Sequence, residues 1–191
     1  MSAARLAAVL LAVLLTGCGG SSWRTHNITH LMPDLEFSLT GEGGDTVTAS
    51  HFRGRISLVY FGFTWCKMAC PMTMARLHEV LKKLGPRADD VRVLFVSVDP
   101  KRDTPERLRD YTAYFGPQFT GLTGNGEPLD ALVRRYRVSY SYGKPDARGN
   151  YPVYHSSGVF VFDGQGRARL LIRDSDTVPA IVADLEQLLK G

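Results

Sequence analysis

The sequence has little cysteine, three in 191 residues. Three sulfurs cannot staple a disulfide-rich miniprotein, and a chain this long buries enough apolar surface to fold without staples. Each cysteine therefore needs its own explanation. Charge of one sign is scarce too. With 23 Lys and Arg against 19 Asp and Glu the formal charge is +4, too small to make nucleic acid the default partner. Long hydrophobic runs are also missing: the apolar stretch at residues 6–15 is too short to cross a hydrocarbon core at a rise of about 1.5 Å per residue. What is present is ordinary for a folded domain. Charged residues make up 22% and hydrophobic ones 44%, which excludes disorder over most of the length.

The N-terminus explains the first cysteine. A weakly basic start, Met1 to Arg5, precedes the apolar run, and small residues follow, which reads as an export signal. Leu15-Thr16-Gly17-Cys18 resembles a bacterial lipobox, in which the cysteine is acylated and becomes the first residue of the mature protein. The expected organisation is a lipoprotein signal peptide over 1–17, a lipidated N-terminus and flexible tether over 18–32, and one folded domain over 33–191. The domain would then sit on the extracytoplasmic, periplasmic side, held to the membrane by lipid. His26 and His30 lie four apart in the tether, either as two solvated histidines or as an accessory metal contact should the segment become helical.

From Pro33 the pattern is α/β. Residues 55–63 hold Ile56, Leu58, Val59, Tyr60 and Phe61, a nearly continuous apolar run that predicts a strand buried on both faces. A helix follows, with Pro71 in its first turn, Leu77, Val80, Leu81 and Leu84 on one face, and Gly85-Pro86 as the stop. A second buried strand is expected over 91–98. Thr104-Pro105-Glu106 opens a helix running to about Phe115, with threonine as cap. A helix over 130–136, strands over 158–163 and 168–173 joined by Gly164-Gln165-Gly166, and a helix over 178–190 complete the reading. The predicted fold is a central mixed sheet flanked by helices, ending in an antiparallel hairpin.

The chemistry concentrates at Thr64-Trp65-Cys66-Lys67-Met68-Ala69-Cys70-Pro71, where a buried strand meets a helix N-terminus. The positive end of the helix dipole, the free amides of the first turn and the Lys67 ammonium all favour thiolate. Two thiolates are soft, anionic ligands suited to Cu(I), and a neutral imidazole would complete a three-coordinate site; zinc usually takes four ligands. The same pair could instead perform thiol-disulfide exchange, or form a structural disulfide closing a very small loop. Three residues separate the cysteines, against two in the familiar redox motif.

Taken together, the motifs resemble the Sco (SenC, PrrC) family, thioredoxin-like copper chaperones that help assemble the dinuclear copper centre of cytochrome c oxidase. The likeness rests on Leu58-Val59-Tyr60-Phe61-Gly62-Phe63-Thr64 leading into Cys66, Cys70 and Pro71. It continues through Ser97-Val98-Asp99-Pro100-Lys101-Arg102-Asp103-Thr104-Pro105, then Phe119-Thr120-Gly121-Leu122-Thr123-Gly124, and ends at His155-Ser156-Ser157. It implies a thioredoxin-like fold with an extra β-hairpin, and copper, Cu(I) first and Cu(II) second, held by Cys66, Cys70 and His155. The implied partner is the CuA domain of cytochrome c oxidase subunit II, with other periplasmic copper chaperones or thiol-disulfide reductants as further partners. The alternative is an oxidoreductase whose redox pair, Cys66 and Cys70, reduces the oxidase's cysteines or serves redox or copper sensing.

This chain departs from the family pattern at four positions. Lys67 and Met68 stand where proline and aspartate are common, Trp65 where histidine is frequent, and Tyr154 where an aspartate commonly precedes the histidine. The site is thereby less negative, which is expected to lower the thiol pKa values. Met68, Met72 and Met74 surround the thiols, either as soft donors assisting copper entry or as apolar filler. Trp65 and Phe63 could form an apolar rim. Asp99, Asp103 and Arg102 read as mutual charge pairing and helix capping, and His51 and His78 as lacking a role at the site.

Overall fold

The computed structural model describes residues 22–190. The signal peptide expected over 1–17 and the lipidation site Cys18 lie outside the described residues. Among the described residues ten strands occur in chain order with four α-helices among them. They are β1 (His26–Asn27), β2 (Ser38–Gly41), β3 (Thr46–Thr48), β4 (Ile56–Gly62), α1 (Ala69–Leu84), β5 (Val91–Ser97), α2 (Pro105–Ala113), β6 (Phe119–Thr123), α3 (Glu127–Arg135), β7 (Tyr140–Tyr142), β8 (Val153–His155), β9 (Val159–Phe162), β10 (Ala168–Ile172) and α4 (Val178–Leu188).

Eight strands form one mixed sheet in the order β1-β10-β9-β4-β5-β6-β2-β3, and β7 pairs with β8 in a separate hairpin. At the centre β4, β5 and β6 run parallel, while β9 lies antiparallel against β4. Every residue of β4 is buried, as its continuous apolar run predicts. Parallel neighbours need crossovers, and α1 and α2 supply them. Helix α1 packs against α4, and α2 lies along β6. Gly121 makes that last approach close, because a Cβ there would stand 2.6 Å from the Leu108 Cβ.

The ends of the helices follow their sequence signals. Thr104 caps α2 by accepting from the Arg107 amide, with Pro105 in the first turn, and α1 stops where Gly85 takes φ 60°.

One expectation fails. Of the segment read as a tether, the described part, 22–32, lies on the domain. Asp184 of α4, only 2% exposed, accepts from the amides of Arg24 and Thr25 and from the Thr25 hydroxyl, while β1 pairs with β10 and Ile28 is buried. A buried carboxylate must be hydrogen-bonded, and these donors satisfy it. His26 sits in an edge strand and His30 in a turn at φ 63°, both exposed, so no helix places them on one face. Among the described residues no helix is long and apolar enough to cross a membrane.

Candidate metal centre

The carboxyl ends of β4 and β5 stand side by side, Gly62 opposite Ser97, and the loops leaving them carry the site. Glycine is required at 62. A Cβ would meet Phe95 Cε2 at 2.7 Å and the Cys70 Sγ at 3.1 Å. The loop from 63 to 68 is tied down from the neighbouring strand. Asp103, fully buried, accepts from the Thr64 amide at 2.9 Å, the Thr64 hydroxyl at 2.6 Å and the Ser97 hydroxyl at 2.6 Å. Arg107 Nε donates to Thr64 Oγ1 at 2.6 Å, and its guanidinium lies 4.5 Å from the Trp65 ring centroid. Asp99 pairs with Arg102 as expected. Asp103 does more than cap or pair: it anchors the cysteine loop, a role the sequence does not announce because its partner in that loop, Thr64, lies 39 residues away.

The two thiols are free and unlike. Met68, at the N-cap of helix α1, has no side-chain oxygen to cap it, and the Cys66 sulfur takes that place, accepting from the Cys70 amide at 3.3 Å. Partial burial opposes ionisation of Cys66, but the amides of Cys70, Met68 and Ala69 together outweigh it and hold the thiol below its ordinary value. Cys70 points into the core. Burial pushes its thiol up to about 12, despite an opposing hydrogen bond from the Phe63 backbone. The expectation of thiolate character therefore holds at Cys66 and fails at Cys70, where desolvation exceeds the effect of the helix terminus. Beneath Cys70 the fully buried Tyr60 hydroxyl has no hydrogen bond of ordinary geometry. Burial first, and Cys70 next, push that phenol upward.

His155 arrives from the other side. Because β9 runs antiparallel to β4, with Val159 opposite Tyr60, the segment entering β9 lies over the end of β4. That puts His155 Nε2 at 3.4 Å from Cys70 Sγ, across 85 residues of sequence. Its Nδ1 contacts the Ser156 carbonyl at 2.9 Å, which directs Nε2 to the sulfur. The ring stands edge-on to Tyr60 and Phe63, with centroids at 6.0 and 5.8 Å. Cys70 and His155 are thus brought together, and Cys66 beside them turns its sulfur to an amide. Among the described residues no three His, Cys, Asp or Glu side chains form a finished metal cage.

Other singled-out residues separate cleanly. Met74 is core, while Met68 and Met72 are exposed. Phe63 is buried and Trp65 half-exposed. His78 contacts the Phe115 carbonyl at 2.6 Å and His51 caps the turn at Thr48, both away from the thiols.

Sheet order, parallel core and a histidine held against the second of two cysteines define a thioredoxin-like dithiol protein with an imidazole at its thiol pair. The SCO1/SenC family model matches residues 29–190, and the chain belongs to that family. It is 37% identical to protein SenC of Rhodobacter capsulatus over 148 residues, 78% of this chain and 66% of that protein. It is 34% identical to a SCO2-like protein of Rickettsia felis over 133 residues, 69% of this chain and 65% of the relative's length. Bradyrhizobium japonicum ScoI, solved with copper bound, superposes with a TM-score of 0.74 at 32% identity, covering 82% of this chain and 99% of that one. The apo Sco1 protein of Thermus thermophilus superposes at 0.78 with 33% identity, covering 90% and 99%.

Proposed function

We propose that the protein is an extracytoplasmic copper chaperone, anchored through lipid on Cys18, that carries copper on Cys66, Cys70 and His155 and delivers it to the CuA centre of cytochrome c oxidase subunit II. The observation that carries this reading is the 3.4 Å approach of His155 Nε2 to Cys70 Sγ at the mouth of a dithiol loop. Two sulfurs and one imidazole are a donor set for Cu(I). The copper-bound structure of the Bradyrhizobium relative supports the choice of metal. Delivery is ligand exchange with no redox step: an incoming thiolate or imidazole of the acceptor binds the three-coordinate ion and one chaperone ligand leaves at a time. Upstream copper carriers and thiol reductants are the further partners this requires.

The difference between the thiols favours a second reading, thiol-disulfide exchange. A partly exposed thiol held below its ordinary value, as Cys66 is, suits the attacking sulfur, and a buried one such as Cys70 the resolving sulfur. Cu(I) competition against a chromogenic chelator under reducing conditions separates the two. The chaperone reading expects one copper per chain, lost or much weakened in Cys66→Ala, Cys70→Ala and His155→Ala. No tight site in the parent would sink it. Binding that survives His155→Ala would make the dithiol alone the working unit and favour the oxidoreductase.

A further inference from the structure

Two methionines beside the thiols have no structural employment. Methionine usually fills gaps in cores, as Met74 does here at 0% exposure. Met68 and Met72 are instead 69% and 65% exposed, among the few large apolar side chains the fold leaves in solvent. The Met72 amide donates to the Met68 carbonyl at 3.1 Å, so the pair brackets the start of α1, with Met68 at the cap position just outside the helix and Met72 in its first turn. Both line one groove of about 500 Å³, together with Ala69, Thr73, Arg76 and Asp174. The two charges there face each other, and one Arg76 nitrogen is taken up by the backbone, while Nε and the other terminal nitrogen have no hydrogen-bond partner. Arg76 donates to the carbonyls of Arg173, Asp174 and Asp176 and pairs with Asp174 at 3.8 Å. What the groove offers a ligand is two thioethers and a mostly apolar surface.

Thioethers are neutral, soft donors that hold Cu(I) and leave hard cations alone. Met68 is two residues from Cys66, within about 7 Å along the chain. The partly exposed Cys66 sulfur is nearer the surface than the buried Cys70. We propose that Met68 and Met72 form an entry site for a soft monovalent ion, Cu(I), which is received on the two thioethers and passed to Cys66 before Cys70 and His155 close on it. The inference rests on the copper reading above and adds the order of ligation to it. The carrier's ligands leave as the two thioethers bind, each Cu–thioether bond breaks as Cys66 and then Cys70 forms a Cu–S bond, His155 Nε2 adds a Cu–N bond last, copper stays Cu(I), and a thiol proton, where present, leaves to solvent. A weak neutral pair upstream of a strong anionic pair gives the ion a downhill path.

The test pairs kinetics with spectroscopy on the full reduced chain. Met68→Leu/Met72→Leu keeps apolar volume and removes both sulfurs, a swap that disturbs packing little. The double variant is expected to bind one Cu(I) per chain with the parent's affinity, yet to take it up from a chelator complex several-fold more slowly. In the parent with all three thiols alkylated, Ag(I) is expected to move the ε-methyl resonances of Met68 and Met72 and leave that of Met74 in place. Parental uptake rates in the double variant, or methyl resonances that ignore Ag(I), would overturn the entry site and leave the chaperone reading intact. A parent that takes up no copper would overturn the chaperone reading itself.

Discussion

The two halves of the candidate centre are built in opposite ways. The thiol half is fixed from beneath: Cys70 is buried against Gly62 and Tyr60, and the loop before it hangs by two hydrogen bonds from Thr64 on Asp103, which a third bond ties to Ser97 of β5. The histidine half stands on the β7–β8 hairpin, outside the main sheet, where Val153 is the buried side chain among mostly exposed neighbours. Polar contacts moor it, the Tyr142 hydroxyl to the Val98 carbonyl at 2.6 Å and the Tyr151 hydroxyl to Asp99 at 2.7 Å. Segments with few buried apolar contacts open at the lowest free-energy cost. The proposed carrier would have to hold its cargo and also release it, and a rigid dithiol facing an imidazole on a loosely packed arm would give each task its own part of the fold.

The largest effect expected from breaking that contrast is at Asp103. Asp103→Ala leaves the Thr64 amide, the Thr64 hydroxyl and the Ser97 hydroxyl without their buried acceptor, at about 1–3 kcal/mol for each donor that water cannot reach. Urea unfolding of the reduced protein is expected to show a loss of about 3 kcal/mol or more. A loss below about 1 kcal/mol would mean that the loop is held by something other than this carboxylate. Next in size is Gly62→Ala. Its new methyl group overlaps Phe95 and presses on Cys70, and overpacking of this kind costs about 1–3 kcal/mol. Copper affinity is expected to fall in the same variant, since the displaced atom is itself a candidate ligand.

The asymmetry of the thiols adds an alkaline signature. Cys70 sits near 12 in the folded chain, above its ordinary value of 9.0, so the folded state keeps a proton that the unfolded state gives up. Its contribution is complete below about pH 9 and is lost as pH rises from there toward 12. The raised phenols of Tyr60 and Tyr111 act in the same direction. Cys66 has the opposite sign, contributing above pH 9 and losing that as pH falls through its lowered folded value. Stability of the reduced protein, measured by urea from pH 8.5 to 10.5, is expected to decline, and Cys70→Ala to decline less steeply. Equal slopes would place the alkaline loss on the tyrosines alone.

Much of this was legible in the sequence, for identifiable reasons. Strand β4 announced itself because burial on both faces leaves an unbroken apolar run, and α1 and α2 because proline, glycine and threonine mark their ends. Strand β6 was not assigned, since Phe119-Thr120-Gly121-Leu122-Thr123 is short and carries a glycine whose purpose, the close seating of Leu108, exists only in three dimensions. The N-terminal segment read as a tether because its anchor, Asp184, is 159 residues from Thr25. At the site, the cysteines were singled out by their place between a buried strand and a helix N-terminus, and His155 by family resemblance alone. Asp103 was read as a cap because its partners at Thr64 are non-local, and Cys70 as an activated thiol because burial cannot be read from a helix-terminus position.

The smallest effect on folding is expected where the effect on function is expected to be large. His155 is half-buried on its hairpin, its Nδ1 meets only the carbonyl of the next residue, and its contact with Cys70 is a weak one to sulfur. Truncating such a side chain removes two ring contacts and leaves one buried thiol without a neighbour it scarcely needs, because a neutral sulfur is well tolerated in an apolar setting. His155→Ala is therefore expected to change unfolding free energy by less than about 1 kcal/mol, the range of substitutions that create neither a core cavity nor a buried charge. Its Cu(I) affinity is expected to fall steeply, while alkylation still marks Cys66 before Cys70. A large loss of stability would show that the histidine arm is a structural strut, and the division between a rigid dithiol and a releasable donor would have to be abandoned.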